Sequence, residues 1–343
     1  MRDSPPTAAR PAAAKAIWMK VCIVGAGAVG GFIGCRLGLS GLAEVSALAR
    51  GQTLQALQAQ GWRLRIEGRE MQAPVRAAAA PAELGLQDLV VIAVKAPALP
   101  ALAPTLAPLI GPRTLLMPAM NGVPWWFVLG LPGLGDAPLA SVDPAGGIAA
   151  ALPFEQLIGC VVHASTALAA PGVVQHQRGQ GLIVGEPRGG RSARAQGVAD
   201  LLAAAGFDVT HSENLRYDLW YKLWGNLTMN PVSAITGATI ERILADAELR
   251  EFCSAAMREA AAIGQRIGCA IAETPEDRHR VTAHLGAFRT SMLQDVDAGR
   301  PIELDAIVGA VQELGRRCGV ATPNVSALLG MTRVFAQVRG LYS

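Results

Sequence analysis

The sequence predicts an α/β domain built on a parallel sheet, followed by an all-α domain. Short continuous apolar runs alternate with helical stretches, as in strands buried on both faces of a sheet. A glycine-rich turn stands directly after the first of these runs. Strand signals stop near Asn214, and only helical patterns follow. A chain of 343 residues has ample core for two domains. The predicted boundaries are a loose Pro- and Ala-rich tail over 1–18, an α/β domain over 19–213 and a helical domain over 214–343. Met19, where the fold begins, is a candidate functional start.

The first strand is Met19–Val24, and helix-compatible residues run from the glycine turn to Leu39. A second strand, Val45–Ala49, ends at Arg50-Gly51 and is followed by helical residues Thr53–Gln60. Trp62–Ile66 and Met71–Val75 read as strands around a Glu67-Gly68 turn. Leu89–Val94 and Thr114–Pro118 are apolar runs of strand length. Gly159–Glu186 reads as short antiparallel strands with turns at Pro171-Gly172 and Arg178-Gly179. An amphipathic helix over Ser192–Ala205 and a strand over Phe207–Thr210 complete the first domain. The second holds helices at Leu215–Asn230, Ala245–Gly268, Glu276–Ala298, Glu303–Cys318 and Val325–Val338.

Composition narrows the function. Lys+Arg 30 against Asp+Glu 27 is too balanced for a chain built around nucleic-acid phosphates. The long uncharged runs Thr114–Gly135 and Gln156–Gln177 are interrupted by Pro, Gly, Asn and His, so they read as buried core, not membrane spans. The first residues have no apolar stretch of a secretory signal. Six scattered cysteines without a C-x-x-C pair suit a reducing compartment, and a cytoplasmic protein is expected. Five dispersed histidines offer no ligand set, so no metal is expected.

The turn Gly25-Ala26-Gly27-Ala28-Val29-Gly30 is a G-x-G-x-x-G between a strand and a helix. In that context it predicts a Rossmann-type dinucleotide site. Gly25 permits the tight turn, Gly27 lets backbone approach a pyrophosphate, and Gly30 lets the helix pack on the sheet. The helix N-terminus supplies free N–H groups for phosphate. The alternative is an ordinary strand-to-helix turn. An NAD site calls for an acidic residue at the end of the second strand, where this chain has Arg50. Its guanidinium can clamp a 2′-phosphate, so the cofactor reading is NADPH; the alternative is a solvated loop arginine. Lys95 and Asn121 follow the next two strands, where the ligand crevice of a parallel sheet opens. A solvated lysine and a plain Asn-Gly turn remain open at those positions.

In Leu215–Pro231 the residues Leu219, Trp220, Leu223, Trp224 and Leu227 form a wide apolar stripe. Lys222, Asn226 and Asn230 recur at i, i+4, i+8 on one face. A buried ammonium and two amides need polar partners, from the protein or from a ligand. Otherwise the lysine snorkels to solvent beside two surface amides. A desolvated lysine facing a nicotinamide could donate a proton to a carbonyl oxygen as hydride adds.

With these elements together, the chain resembles ketopantoate reductase (2-dehydropantoate 2-reductase) from Met19 to Val338. The resemblance rests on K-V-C-I-V-G-A-G-A-V-G-G, Arg50, V-K-A at Lys95, N-G at Asn121, K-L-W-G-N-L-T-M-N-P, and S-M-L-Q-D-V followed by I-E-L-D. It implies a C-terminal domain like that of 6-phosphogluconate dehydrogenase, and NADPH-dependent reduction of 2-dehydropantoate to (R)-pantoate on the route to pantothenate and coenzyme A. It implies Lys222 as general acid, with Lys95 and Asn121 near cofactor and substrate. Asn226, Asn230 and Ser291 would contact substrate, and Glu303 would accept a substrate hydroxyl. From the residues alone, Glu303 is a first-turn glutamate that should stay ionised, and Ser291, Gln294 and Asp295 pass as helix surface.

Two features depart from the family pattern. Phe288 stands where a polar residue is common, and Met120–Trp126 is unusually aromatic through Trp125 and Trp126. Both point to a repacked pocket. Alternative readings are a reductase of another 2-oxo acid on the same fold, or a non-catalytic NADPH-binding sensor. The substrate is expected between the domains, and a homodimer is compatible with the apolar helical domain.

Overall fold

The computed structural model describes residues 19–131, 133–135 and 137–342, so the N-terminal tail of the sequence reading lies outside the described residues. The chain runs β1 (Met19–Val24), α1 (Ala28–Ser40), β2 (Ala43–Leu48), α2 (Gly51–Gln60), β3 (Trp62–Ile66), β4 (Arg69–Ala73), β5 (Arg76–Ala78) and β6 (Leu89–Ile92). A short α3 (Leu99–Leu102), β7 (Leu115–Pro118), α4 (Gly147–Ala151), β8 (Gly159–Ala170), β9 (Val173–Gly185), α5 (Ala193–Ala204) and β10 (Asp208–Ser212) follow. The rest is helical: α6 (Leu215–Thr236), α7 (Ile240–Ala245), α8 (Ala247–Arg266), α9 (Pro275–Ala283), α10 (Ser291–Asp297), α11 (Ala310–Cys318) and α12 (Pro323–Val338). This is a Rossmann-like parallel sheet with helices, followed by a helical region, as the apolar runs foretold.

The described residues form two five-stranded sheets. The first is all parallel in the order β5-β2-β1-β6-β7. Its central strands are closed to water: Val21 through Val24 and Leu89 through Ile92 are fully buried. Burial on both faces is why these segments carry no alternation in sequence. The second sheet is mixed. β3 pairs antiparallel with β4 and parallel with β9, and β9 pairs antiparallel with β8 and parallel with β10. Trp62, buried on β3, packs under Gly34 of α1, where a Cβ would stand 2.6 Å from the indole; the helix can lie this close only because it carries glycine there.

Several elements differ from the sequence reading. Arg178-Gly179 is not a turn. β9 runs through it, and Gly179 (φ 70°) takes up an irregularity in the β8–β9 register. The helix predicted over Ala245–Gly268 begins at Ala247, capped by the Asp246 side chain, after a separate α7. The helix predicted over Glu276–Ala298 is two helices. Gly286 takes φ 61° between them, and Thr290 starts the second by accepting the Leu293 N–H at 3.2 Å. α6 continues past Asn230 and Pro231 to a left-handed cap at Gly237 (φ 71°). A π-helical turn, Asp305–Gly309, precedes α11. Trp125 and Trp126 are 2% and 1% exposed and belong to the main core. That aromatic segment therefore packs the domain and does not reshape a pocket.

Candidate active site

The cleft begins at the turn between β1 and α1. Gly25 has φ 94°, and a Cβ there would lie 2.6 Å from Val94 Cγ1 and 2.9 Å from the Val94 backbone nitrogen, so only glycine fits. Above Gly27 a Cβ would meet nothing within 4 Å. That open space is what a closely approaching phosphate needs. α1 has no acidic residue in its first turn to compete for its free N–H groups. Gly30 is buried and does not line the cleft: its Cβ would stand 2.1 Å from the Gly25 carbonyl oxygen. Its role is close packing of helix on loop. These features fit a dinucleotide.

Two adjoining cavities continue from the glycines. One, of about 300 Å³, includes Ala26 and ends at Ala49, Arg50 and Thr53, with Arg50 the one charged group among its described lining residues. The other, of about 430 Å³, passes Ala28 and Val29 and reaches Lys95, Asn121, Ser291 and Glu303. The strap Thr166–Leu168 of β8, unremarked in the sequence, overhangs this second cavity. The groove thus brings segments of the α/β half and of the helical half to one wall.

Lys222 sits behind Asn121. Its Nζ donates to Asn121 Oδ1 at 2.9 Å and to the Val162 carbonyl at 2.7 Å. It does not snorkel away: burial lowers its pKa to about 8, against the smaller opposing influences of Cys160 and Glu303. Lys222 and Asn226 share a small cavity with Asn121, and Asn121 lines both this space and the main cleft. Asn230 continues the stripe more deeply. It is 4% exposed, its side-chain amide nitrogen has no hydrogen-bond partner among the described residues, and it lines neither cavity.

Glu303 lies just before the helical turn, not within it, and one carboxylate oxygen accepts the Ala96 N–H at 3.1 Å. Burial pushes its pKa above the ordinary glutamate value, opposed by that hydrogen bond and by Lys95 and Lys222. The expectation of a first-turn glutamate is corrected in position, since the residue precedes the helical turn, and its burial weighs against the charged form. Lys95 is not free in the cleft either. It pairs with Asp295 at 2.5 Å and donates to the Pro301 carbonyl at 3.1 Å, while Arg300 meets the same Asp295 at 3.1 Å. Asp295 and Arg300 escaped the sequence reading. The available signal was that Asp295 stands four residues after Ser291 on one helix face. Ser291 is exposed to the cleft at the start of α10, whose cap Thr290 is tied to Ser233 of α6 by a 2.5 Å hydroxyl contact.

The family profile for ketopantoate reductase PanE/ApbA matches residues 21–189, and that for its C-terminal part matches residues 214–336. A 2-dehydropantoate 2-reductase of Mesorhizobium japonicum is 43% identical over 326 residues, covering 95% of this chain and all of its own. The chain belongs to the ketopantoate reductase family. Among solved structures of ketopantoate reductases, a proposed one from Ralstonia solanacearum MolK2 shares 52% identity at a TM-score of 0.91, covering 95% of this chain and 100% of that one. A family member from Ralstonia eutropha JMP134 follows at 27% identity and a TM-score of 0.80, with 94% and 100% coverage. Among the described residues of the chain, no helix is long and apolar enough to cross a membrane, and the six cysteines are free thiols.

Proposed function

We propose that the protein reduces 2-dehydropantoate to (R)-pantoate with NADPH, Lys222 serving as the general acid. The observation that carries this reading is the half-buried Lys222, its ammonium held by Asn121 and Val162 beside the cleft and its pKa lowered to about 8 by desolvation. The glycine turn with α1 would hold the pyrophosphate, and Arg50 the 2′-phosphate that separates NADPH from NADH. When bound, the reduced dinucleotide supplies the hydride for the substrate ketone.

An ammonium has three donors. Two of those on Lys222 are committed, which leaves the third for the ketone oxygen. As negative charge develops there, Lys222 stabilises it and then transfers its proton, completing the alcohol. Asn121 orients the amine from one side while reaching the cleft itself. Asn226, in the Lys222 cavity, supplies a neutral amide for the substrate, and Asn230, deeper on the same face with an unpartnered nitrogen, is the second amide the family likeness assigns to it. Ser291, in the lining of the main cleft, contacts the substrate as well. Glu303, anchored by Ala96, accepts the C4 hydroxyl. The boundary between the two functional halves falls near 213/214, so the substrate lies where they meet.

The test is an absorbance assay of NADPH loss with 2-dehydropantoate and a panel of other 2-oxo acids. The reading requires 2-dehydropantoate to be preferred. Preference for a substrate lacking the C4 hydroxyl would remove the reason for Glu303 and favour another 2-oxo acid. NADPH binding with no turnover on any of the panel would leave a sensor.

A further inference from the structure

Arg278, on α9, reaches back to the helix that carries Lys222. Its guanidinium carbon lies 4.9 Å from the centroid of the Tyr221 ring, in cation–π contact. Its Nε and one terminal nitrogen would each stand 2.8 Å from a Cβ at position 225. Residue 225 is glycine in the middle of a 22-residue helix, where glycine is less favourable than alanine. That glycine makes the room the guanidinium occupies, three residues past Lys222 and immediately before Asn226.

The surroundings are short of negative charge. Arg278 Nε is buried with no hydrogen-bond partner among the described residues. No ion pair joins Arg278 to a carboxylate among the described residues. His163, next to the Val162 whose carbonyl holds Lys222, is pushed down to about 4 by burial and then by the charges of Lys222 and Arg278. Lys222 and Arg278 thus both act on the same imidazole, and two cations set this close, one with an unpartnered nitrogen, call for an anion from outside the protein.

A 2-oxo acid brings that anion on the carbon next to its ketone. We propose that Arg278 is the carboxylate-recognising, specificity-determining residue of this site, pairing with the substrate carboxylate while Lys222 takes the adjacent ketone oxygen. This rests on the reading of the protein as a 2-oxo acid reductase. The nearby asparagines offer neutral hydrogen bonds; Arg278 adds the charge that distinguishes an acid from its amide.

The experiment compares 2-dehydropantoate with its primary amide, which keeps the ketone and hydroxyl but loses the charge, in the wild type, Arg278→Gln and Gly225→Ala. Arg278→Gln should raise KM for the acid at least about tenfold, as expected for a lost charged hydrogen bond, with kcat and KM for the amide little changed. Gly225→Ala leaves the arginine in place but pushes its mobile end aside, and should raise KM for the acid in the same direction while thermal stability holds. Equal losses for acid and amide in Arg278→Gln would mean a merely structural arginine, and an unchanged KM for the acid in both variants would equally overturn the proposal. If the wild type turns over no 2-oxo acid, the functional reading itself fails, a result distinct from a working enzyme indifferent to Arg278.

Discussion

The cofactor cleft and the Lys222 site lie side by side but are built in opposite ways. The glycine turn is one run of six residues, Gly25–Gly30, whose geometry is decided by its own backbone and by the strand and helix on either side. The Lys222 site joins segments far apart in sequence: 101 residues separate Lys222 from Asn121, and 207 separate Ala96 from Glu303. A contiguous site is specified locally and tolerates little, because each residue has one backbone task. A site assembled by packing depends on how two domains meet, and its chemistry comes from desolvation that no short motif displays.

If that contrast is right, substitutions in the assembled site should hit turnover and substrate, and those in the cleft should hit cofactor. The largest effect is expected for Lys222→Ala: a fall in kcat of about a hundredfold or more, with NADPH affinity retained in a fluorescence titration. Arg50→Ala should do the converse, weakening NADPH by about tenfold or more through loss of a charge-assisted phosphate contact while NADH changes little. Equal losses for both cofactors would mean that Arg50 does not read the 2′-phosphate. Glu303→Gln should raise KM for 2-dehydropantoate about tenfold and leave an analogue without the C4 hydroxyl unaffected. The smallest effect is expected at the seam. Lys95→Met breaks the pair with Asp295, but the lysine side chain is 37% exposed, so a denaturant titration should register a loss of about 1 kcal/mol or less.

The same contrast explains what could be read beforehand. Runs such as Leu89–Val94 announced a parallel sheet because burial on both faces leaves its mark on each of Leu89–Ile92. The Lys222–Asn226–Asn230 spacing revealed one polar face of α6, since helical period is a local property. Where structure depended on a partner, the sequence was silent or misleading. The break at 284–290 hangs on Gly286 and on a Thr290 cap that is tied to Ser233 of another helix. Asp295 is indistinguishable from a surface carboxylate until Lys95 arrives from the other domain. Trp125 and Trp126 sat beside Asn121 in sequence but turned into the core, because position along a loop does not say which way an indole points.

The central claim is that a desolvated lysine donates the proton, and the pH dependence of kcat tests it most directly. Burial lowers Lys222 to about 8, so the protonated, active form is lost as pH rises through that value. The account predicts a kcat profile whose alkaline limb falls near pH 8 in the wild type and vanishes in the residual activity of Lys222→Ala. A profile that stays level through and well beyond pH 8, or an alkaline limb that survives in Lys222→Ala, would contradict it.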